Sequence, residues 1–218
     1  MKRTGLIIVA SMIIFLVLSG LTEKKPKVLI IGDSISIGYT PFVKETLRDK
    51  AVVTHNEGNA QHTGYGLENI EKWIQQDDYD IIQFNWGLWD LCYRHPDSKV
   101  QGNRDKINGK LTFSLEEYRE NLEKIVKILK EKTTAKLIFV TISYVPKKEA
   151  GRFEKDSLKY NKVARQVMKK YSIRVNDIYK KSKTIHKNYG LGNDDVHYQK
   201  KGYEELGKVI TSFLNKEI

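Results

Sequence analysis

Two residues near opposite ends of this chain have the types that together can open an ester. Ser34 follows an apolar run, Lys27 to Ile31, directly after Gly32 and Asp33, and His197 lies in the segment Asn193 to Tyr198, NDDVHY, three residues after Asp194. A serine hydroxyl is a weak nucleophile until a neighbouring base takes its proton, and the base needs a partner that fixes its tautomer and stabilises its cation. In a turn, a separation of three lets a carboxylate reach back to the imidazole. The set therefore reads as Ser34 the nucleophile, His197 the general base and then acid, and Asp194 the orienting carboxylate. Asp195 is a competing carboxylate, read as a solvated neighbour or a structural hydrogen-bonding partner. Singly, each residue has a plainer reading: Asp33 and Ser34 as a helix cap, His197 as a loop histidine, Asp194 as the approach to the last helix. The ordered set is what points to acyl chemistry.

For these residues to meet, the chain must fold so that its ends share one edge. The pattern predicts strands over Lys27 to Ile31, Ala51 to Asn56, Tyr79 to Phe84, Lys136 to Ile142 and Ile173 to Asn176. Amphipathic helices alternate with them: one starting at Thr40 with Pro41 at its first position, one carrying Leu67, Ile70, Trp73 and Ile74, and one opened by the capping box of Ser114 and Glu117. A fourth carries Val163 and Val167, and a last one carries Tyr203, Leu206, Ile210 and Phe213. Strands rich in Val and Ile that alternate with such helices imply a parallel sheet covered on both faces. The expected architecture is α/β, a three-layer α/β/α, flavodoxin-like doubly wound sheet of about five strands. Right-handed crossovers then put the loops after every strand on one edge. The stretch from Cys92 to Thr112 is irregular and begins at that edge, so it is read as a substrate loop. The segment Lys180 to Tyr198 is read as a polar loop.

The block Gly32, Asp33, Ser34, followed near the C-terminus by Asp194 and His197 in the spacing DxxH, resembles the SGNH hydrolases, also called the GDSL esterase and lipase family. The resemblance spans about residues 27 to 215 and implies the doubly wound fold, ester hydrolysis through an acyl-enzyme and no cofactor. Its spacing selects Asp194 over Asp195. It also implies an oxyanion hole made by the backbone N–H of Ser34, the N–H of a glycine in a second block, matched by Gly58, and an asparagine amide in a third. The third block departs from the usual GxND: Gly87, Leu88, Trp89 and Asp90 put tryptophan where the asparagine belongs. Asn85, two residues before that glycine, is the nearest amide that could take its part. Trp86, Trp89 and Asp90 are the substrate-facing candidates, with the two indoles read either as an aromatic wall for a sugar ring or as packing beside the sheet. The substrates implied are short acyl esters, including acetyl groups on a glycan. Two rivals use the same residues: an acyltransferase that passes the acyl group to a sugar hydroxyl, and a catalytically silent glycan-binding protein that kept the fold.

The chain of 218 residues, with 40% hydrophobic and 30% charged side chains, suits one compact domain, residues 27–218, behind a short polar linker, residues 22–26. Before the linker, Lys2 and Arg3 precede an apolar run from Leu6 to Leu18 and then Ser19, Gly20 and Leu21, which reads as an export signal or an N-terminal membrane anchor over residues 1–21. Either reading puts the domain outside the cytoplasm and allows membrane contact only through that segment. A single cysteine, Cys92, cannot form an intramolecular disulfide, so the core must supply the stability. The net charge of +11 reads either as a solvated basic surface or as attraction to acidic glycans and anionic envelope polymers. No nucleic-acid motif is present. His55, His62, His95 and His186 show no metal-ligand spacing, and no metal is expected. The segment Lys27 to Tyr39 lacks the spaced glycines that cradle nucleotide phosphates.

Overall fold

The computed structural model describes residues 24–218. The segment read as signal or anchor, residues 1–21, lies outside the described residues. Among the described residues, no helix is long and apolar enough to cross a membrane.

The centre of the molecule is β1, Lys27–Ile31, where Val28, Leu29, Ile30 and Ile31 are all fully buried. A strand with apolar side chains on both faces needs cover above and below, which only an interior strand of a two-sided sheet provides. Accordingly β1 pairs in parallel with β2, Val52–His55, on one side and with β3, Ile81–Phe84, on the other. Beyond β3 lie β6, Lys136–Val140, and β7, Arg174–Asn176, giving an all-parallel sheet of order β2-β1-β3-β6-β7. The strand order reverses between β1 and β3, and ligands of open α/β sheets bind in the crevice at such a point.

Among the described residues, six α-helices cover the sheet in two groups. In one, α1, Ser34–Leu47, packs on α6, Lys200–Leu214, which also packs on α5, Tyr179–Tyr189. In the other, α2, Thr63–Ile74, packs on α3, Leu115–Lys132, and α3 on α4, Glu154–Lys170. Ser114 and Glu117 form the expected capping box at the start of α3.

Three local expectations are corrected. The first helix begins at Ser34, not at Pro41 behind a Thr40 cap, because the Asp33 side chain accepts the Ile35 N–H and caps the helix seven residues earlier, leaving Pro41 inside it. Within the irregular stretch, β4, Tyr93–Arg94, pairs antiparallel with β5, Lys110–Leu111. The polar segment after β7 is helical over Tyr179–Tyr189 before it becomes a loop.

The α1–α6 contact is close because both helices present glycine. A Cβ on Gly38 would collide with the Tyr203 ring, and one on Gly207 would come within 2.8 Å of the Phe42 Cβ. Gly38→Val is expected to lower stability by roughly 2 kcal/mol, a fall in Tm of about 4–8 °C for a chain of this size. Calorimetry reads it, and an unchanged Tm would show that Tyr203 swings aside without loss.

Candidate active site

Starting the first helix at Ser34 puts the backbone N–H of that residue at the positive end of α1, free of any hydrogen bond to the described residues. The Ser34 Oγ lies 2.9 Å from His197 Nε2. On the other side of the ring, His197 Nδ1 lies 2.6 Å from Asp195 Oδ1, and the same oxygen accepts the His197 backbone N–H at 2.9 Å. With Nδ1–H donating to a carboxylate, Nε2 carries the lone pair and accepts the Ser34 O–H. Burial pushes the Asp195 carboxyl up, but the His197 N–H and imidazole outweigh it and hold Asp195 below the usual carboxylate range. Such a hydroxyl, imidazole and carboxylate in series can shift a proton from oxygen to nitrogen and back.

The His197 segment is held by its backbone. Leu191 N–H donates to the His197 carbonyl at 3.1 Å, Gln199 N–H to the Tyr189 carbonyl at 2.8 Å, and His186 Nε2 to the Asp195 carbonyl at 2.7 Å. Opposite, the loop after β2 is tied to Gly32: Asn56 Oδ1 accepts the Gly32 N–H at 3.0 Å, and Ala60 N–H donates to the Gly32 carbonyl at 3.0 Å. Between these anchors Asn59 faces the cavity, its Oδ1 accepting the Gln61 N–H at 2.8 Å while its amide NH₂ makes no hydrogen bond to the described residues.

A cavity of about 300 Å³ opens over Ser34, His197 and Asp195. Leu88 and Trp89 form its apolar side, while Arg94, Arg104 and Arg152 supply guanidinium groups. Arg104 and Arg152 share the fully buried Glu149, at 2.6 and 2.8 Å, and Arg152 also donates to the Leu88 carbonyl at 2.6 Å.

The model of the GDSL-like lipase/acylhydrolase family matches residues 28–210, which includes both the Gly32-Asp33-Ser34 block and the Asp195–His197 segment. The chain belongs to the GDSL-like lipase/acylhydrolase family. Comparison with curated protein sequences returned no match. Among solved structures, a lipase/acylhydrolase from Enterococcus faecalis shares 22% identity, covering 88% of this chain and 96% of that one, with a TM-score of 0.69. The acetyl xylan esterase AlAXEase shares 16% identity over 86% of this chain and 99% of that one, with a TM-score of 0.67. The acetylxylan esterase Axe2 from Geobacillus stearothermophilus shares 16% identity over 86% of this chain and 93% of that one, with a TM-score of 0.64.

In this acylhydrolase-family chain the structure brings Ser34 and His197 together but not Asp194, whose side chain is exposed and makes no hydrogen bond to the described residues. The reason is local. A carboxylate that accepts the backbone N–H two residues on forms an Asx turn, and in that turn the side chain of the same residue lies beside it. Aspartate two before histidine is therefore enough, and the DVH order of Asp195, Val196 and His197 is the signal that spacing three obscured.

Other expected site residues are placed elsewhere. Asn85 Nδ2 donates to the Val140 carbonyl at 2.7 Å, tying the loop after β3 to the end of β6, and Asn85 does not line the cavity. Gly58 does not line it either; its φ of 69° is a left-handed turn that favours glycine. Trp86 is buried, with its indole N–H on the Ala60 carbonyl at 3.0 Å, so of the two indoles only Trp89 faces the cavity. Asp90 is fully buried and receives the Thr63 N–H at 2.9 Å and the Thr63 hydroxyl at 2.5 Å, which makes it a latch on α2 rather than a substrate contact. Of the cavity residues not singled out in the sequence, Arg94 ends β4 and Arg104 follows in the stretch Cys92 to Thr112 that was read as a substrate loop, while Asn59 and Arg152 come from loops where periodicity carries no signal.

Two outcomes follow from the buried charges. Removing Glu149 with Glu149→Ala leaves Arg104 and Arg152 without their shared carboxylate and is expected to cost about 3–5 kcal/mol, measured by denaturant unfolding. A loss under 1 kcal/mol would show that water replaces the carboxylate. Burial raises Asp90 to about 7, against an ordinary value of 3.8. Between those values the unfolded chain loses its proton while the folded one keeps it, so this group's contribution to stability falls as pH rises through that window and is fully present below it. Asp90→Asn is expected to flatten the stability profile between pH 4 and 7; an unchanged slope there would contradict the assignment.

Proposed function

We propose that this chain is an exported esterase that removes short acyl groups through a covalent acyl-enzyme. The observation that carries the reading is the continuous series from Ser34 Oγ through His197 to Asp195, at 2.9 and 2.6 Å. Ser34 attacks the ester carbonyl while His197 Nε2 takes its proton. The imidazolium formed is stabilised by Asp195 and gives the proton to the departing alcohol oxygen. Water, deprotonated by His197, then attacks the acyl-enzyme, and the carboxylic acid leaves as the proton returns to Ser34.

The tetrahedral intermediates place a negative charge on the former carbonyl oxygen. Two donors are assigned to it: the Ser34 N–H at the start of α1 and the Asn59 side-chain amide, which takes the part that the third-block asparagine plays in relatives. Trp89, where that asparagine would stand, instead forms the cavity wall. Acetyl groups on a glycan are the favoured esters, supported by the cavity of about 300 Å³ and by the naming of two similar structures as acetyl xylan esterases. Export rests on Lys2, Arg3 and the apolar run from Leu6 to Leu18.

Acetate release from acetylated glycans and aryl acetates tests the reading. Ser34→Ala is expected to abolish release. Asp195→Asn is expected to lower kcat on the order of 10³–10⁴-fold by destroying the tautomer preference, whereas Asp194→Asn stays within about twofold. Asn59→Ala is expected to lower kcat on the order of 10²-fold. Release that survives Ser34→Ala, or an Asp194→Asn loss exceeding that of Asp195→Asn, would overturn the assignment.

A further inference from the structure

The cavity over Ser34 is lined by three guanidinium groups whose carboxylate partners among the described residues are unevenly shared. Arg94, Arg104 and Arg152 all line it. Glu149 answers Arg104 and Arg152 together, and Asp195 is already engaged by His197. The remaining carboxylate, Asp33, is buried and spends one oxygen on the Ile35 N–H. Arg94 forms no ion pair with the described residues. Its guanidinium lies 4.8 Å from the centre of the Trp89 ring and donates one N–H to the Gly102 carbonyl. Burial first, and then the charges of Arg152 and Arg104, lower its affinity for a proton, partly offset by Cys92 and Glu149.

Glu149 joins two of these like charges and leaves Arg94 without a carboxylate partner among the described residues. The bonds that are already made also fix the guanidinium planes. Arg104 uses Nε on the Gln101 carbonyl at 3.0 Å and Nη1 on Glu149; Arg152 uses Nε on the Leu88 carbonyl and Nη1 on Glu149. The Nη2 group of each of these arginines, and both Nε and Nη2 of Arg94, make no hydrogen bond to the described residues. Guanidinium groups with an open donor edge are suited to carboxylate or phosphate oxygens, which they meet with paired, charge-assisted hydrogen bonds. Stacking on Trp89 keeps Arg94 planar and in place without using that edge.

We infer that the ester this enzyme cleaves is carried by an anionic molecule, a glycan or polyol bearing carboxylate or phosphate groups, and that Arg94 on Trp89 binds that anion while Ser34 attacks the acyl group. The inference rests on the esterase reading above and narrows its substrate class. It also separates the specificity function, Arg94, from the scaffold of Arg104, Arg152 and Glu149 that supplies a positive field. A neutral acetylated xylan would leave the Arg94 donor edge facing only water.

The test pairs esters with the same acyl group on different carriers: acetylated oligogalacturonate for carboxylate, acetylated glycerol-phosphate oligomers for phosphate, and acetylated xylo-oligosaccharide as the neutral carrier. At low salt kcat/KM is expected to be at least tenfold higher for one of the anionic carriers, and the preferred one tells carboxylate from phosphate. In Arg94→Gln the ratio of anionic to neutral kcat/KM is expected to fall to about one, and Arg94→Lys is expected to restore part of it. Equal rates on all carriers, or an Arg94→Gln loss shared alike by neutral and anionic esters, would overturn the inference; the latter would assign Arg94 to the oxyanion instead. Binding keeps the two readings apart. In calorimetry, the Ser34→Ala protein is expected to bind deacetylated oligogalacturonate or the glycerol-phosphate oligomer more tightly than the xylo-oligosaccharide, and to lose that preference with Arg94→Gln added. Such binding without Ser34-dependent hydrolysis would sink the esterase reading and keep the anion site, whereas hydrolysis without the preference would do the reverse.

Discussion

The packing of α6 on α1, with Tyr203 over Gly38 and Gly207 against Phe42, carries the C-terminal segment back to the carboxyl edge of the sheet. Ser34 begins α1, and His197 stands three residues before α6. The distance between their side chains is therefore set by how closely two helices approach, and a Cβ at either glycine would push them apart. From the half-buried Tyr203 an aromatic series runs through the buried Tyr198 to the buried His186, which donates to the Asp195 backbone carbonyl and so holds the segment that carries the carboxylate behind His197. One helix contact thus connects the core to each member of the Ser34, His197 and Asp195 set.

The electrostatics divide into two parts with different purposes. Asp195 is half-exposed and kept ionised by the two N–H donors of His197, which suits the part proposed for it in stabilising a transient imidazolium. Glu149, by contrast, is fully buried and committed to Arg104 and Arg152, with a further bond from the Gly151 N–H at 2.8 Å. Its place is to hold the arginine-bearing loops against the sheet edge at a fixed distance from Ser34. Asp90, also buried, does the equivalent for α2 through Thr63.

Most of the fold was legible because it follows from burial. The apolar run at β1, the β-branched strands and the stripe of α3 have no other stable arrangement than a covered parallel sheet, and the order of Ser34 and His197 followed from it. The start of α1 was misplaced because Pro41 is a strong helix-opening signal, yet a capping carboxylate at Asp33 acts locally and earlier. The orienting aspartate was misassigned for a related reason. A motif spacing of three is a statement about relatives, whereas the Asx turn that joins Asp195 to His197 is a matter of backbone geometry. The stretch Cys92 to Thr112 was legible as a substrate loop, and it brings Arg94 and Arg104 to the cavity, but which of its residues face Ser34 was not legible, and neither were Asn59 and Arg152. Arg94 stands at the end of β4, and Asn59, Arg104 and Arg152 lie on loops whose positions are set by Asn56 on Gly32 and Glu149 on two guanidinium groups, contacts that no local pattern announces.

In the proposed reaction Ser34, His197 and Asp195 act as one unit with Asn59 facing the oxyanion. A crystal structure of the domain after reaction with a fluorophosphonate measures all four at once. Phosphorus is expected on Ser34 Oγ, with the phosphonyl oxygen within hydrogen-bonding distance of the Ser34 N–H and the Asn59 amide, and His197 Nδ1 still on Asp195. Phosphonyl oxygen turned to Asn85, or an imidazole that has moved to Asp194, would contradict it.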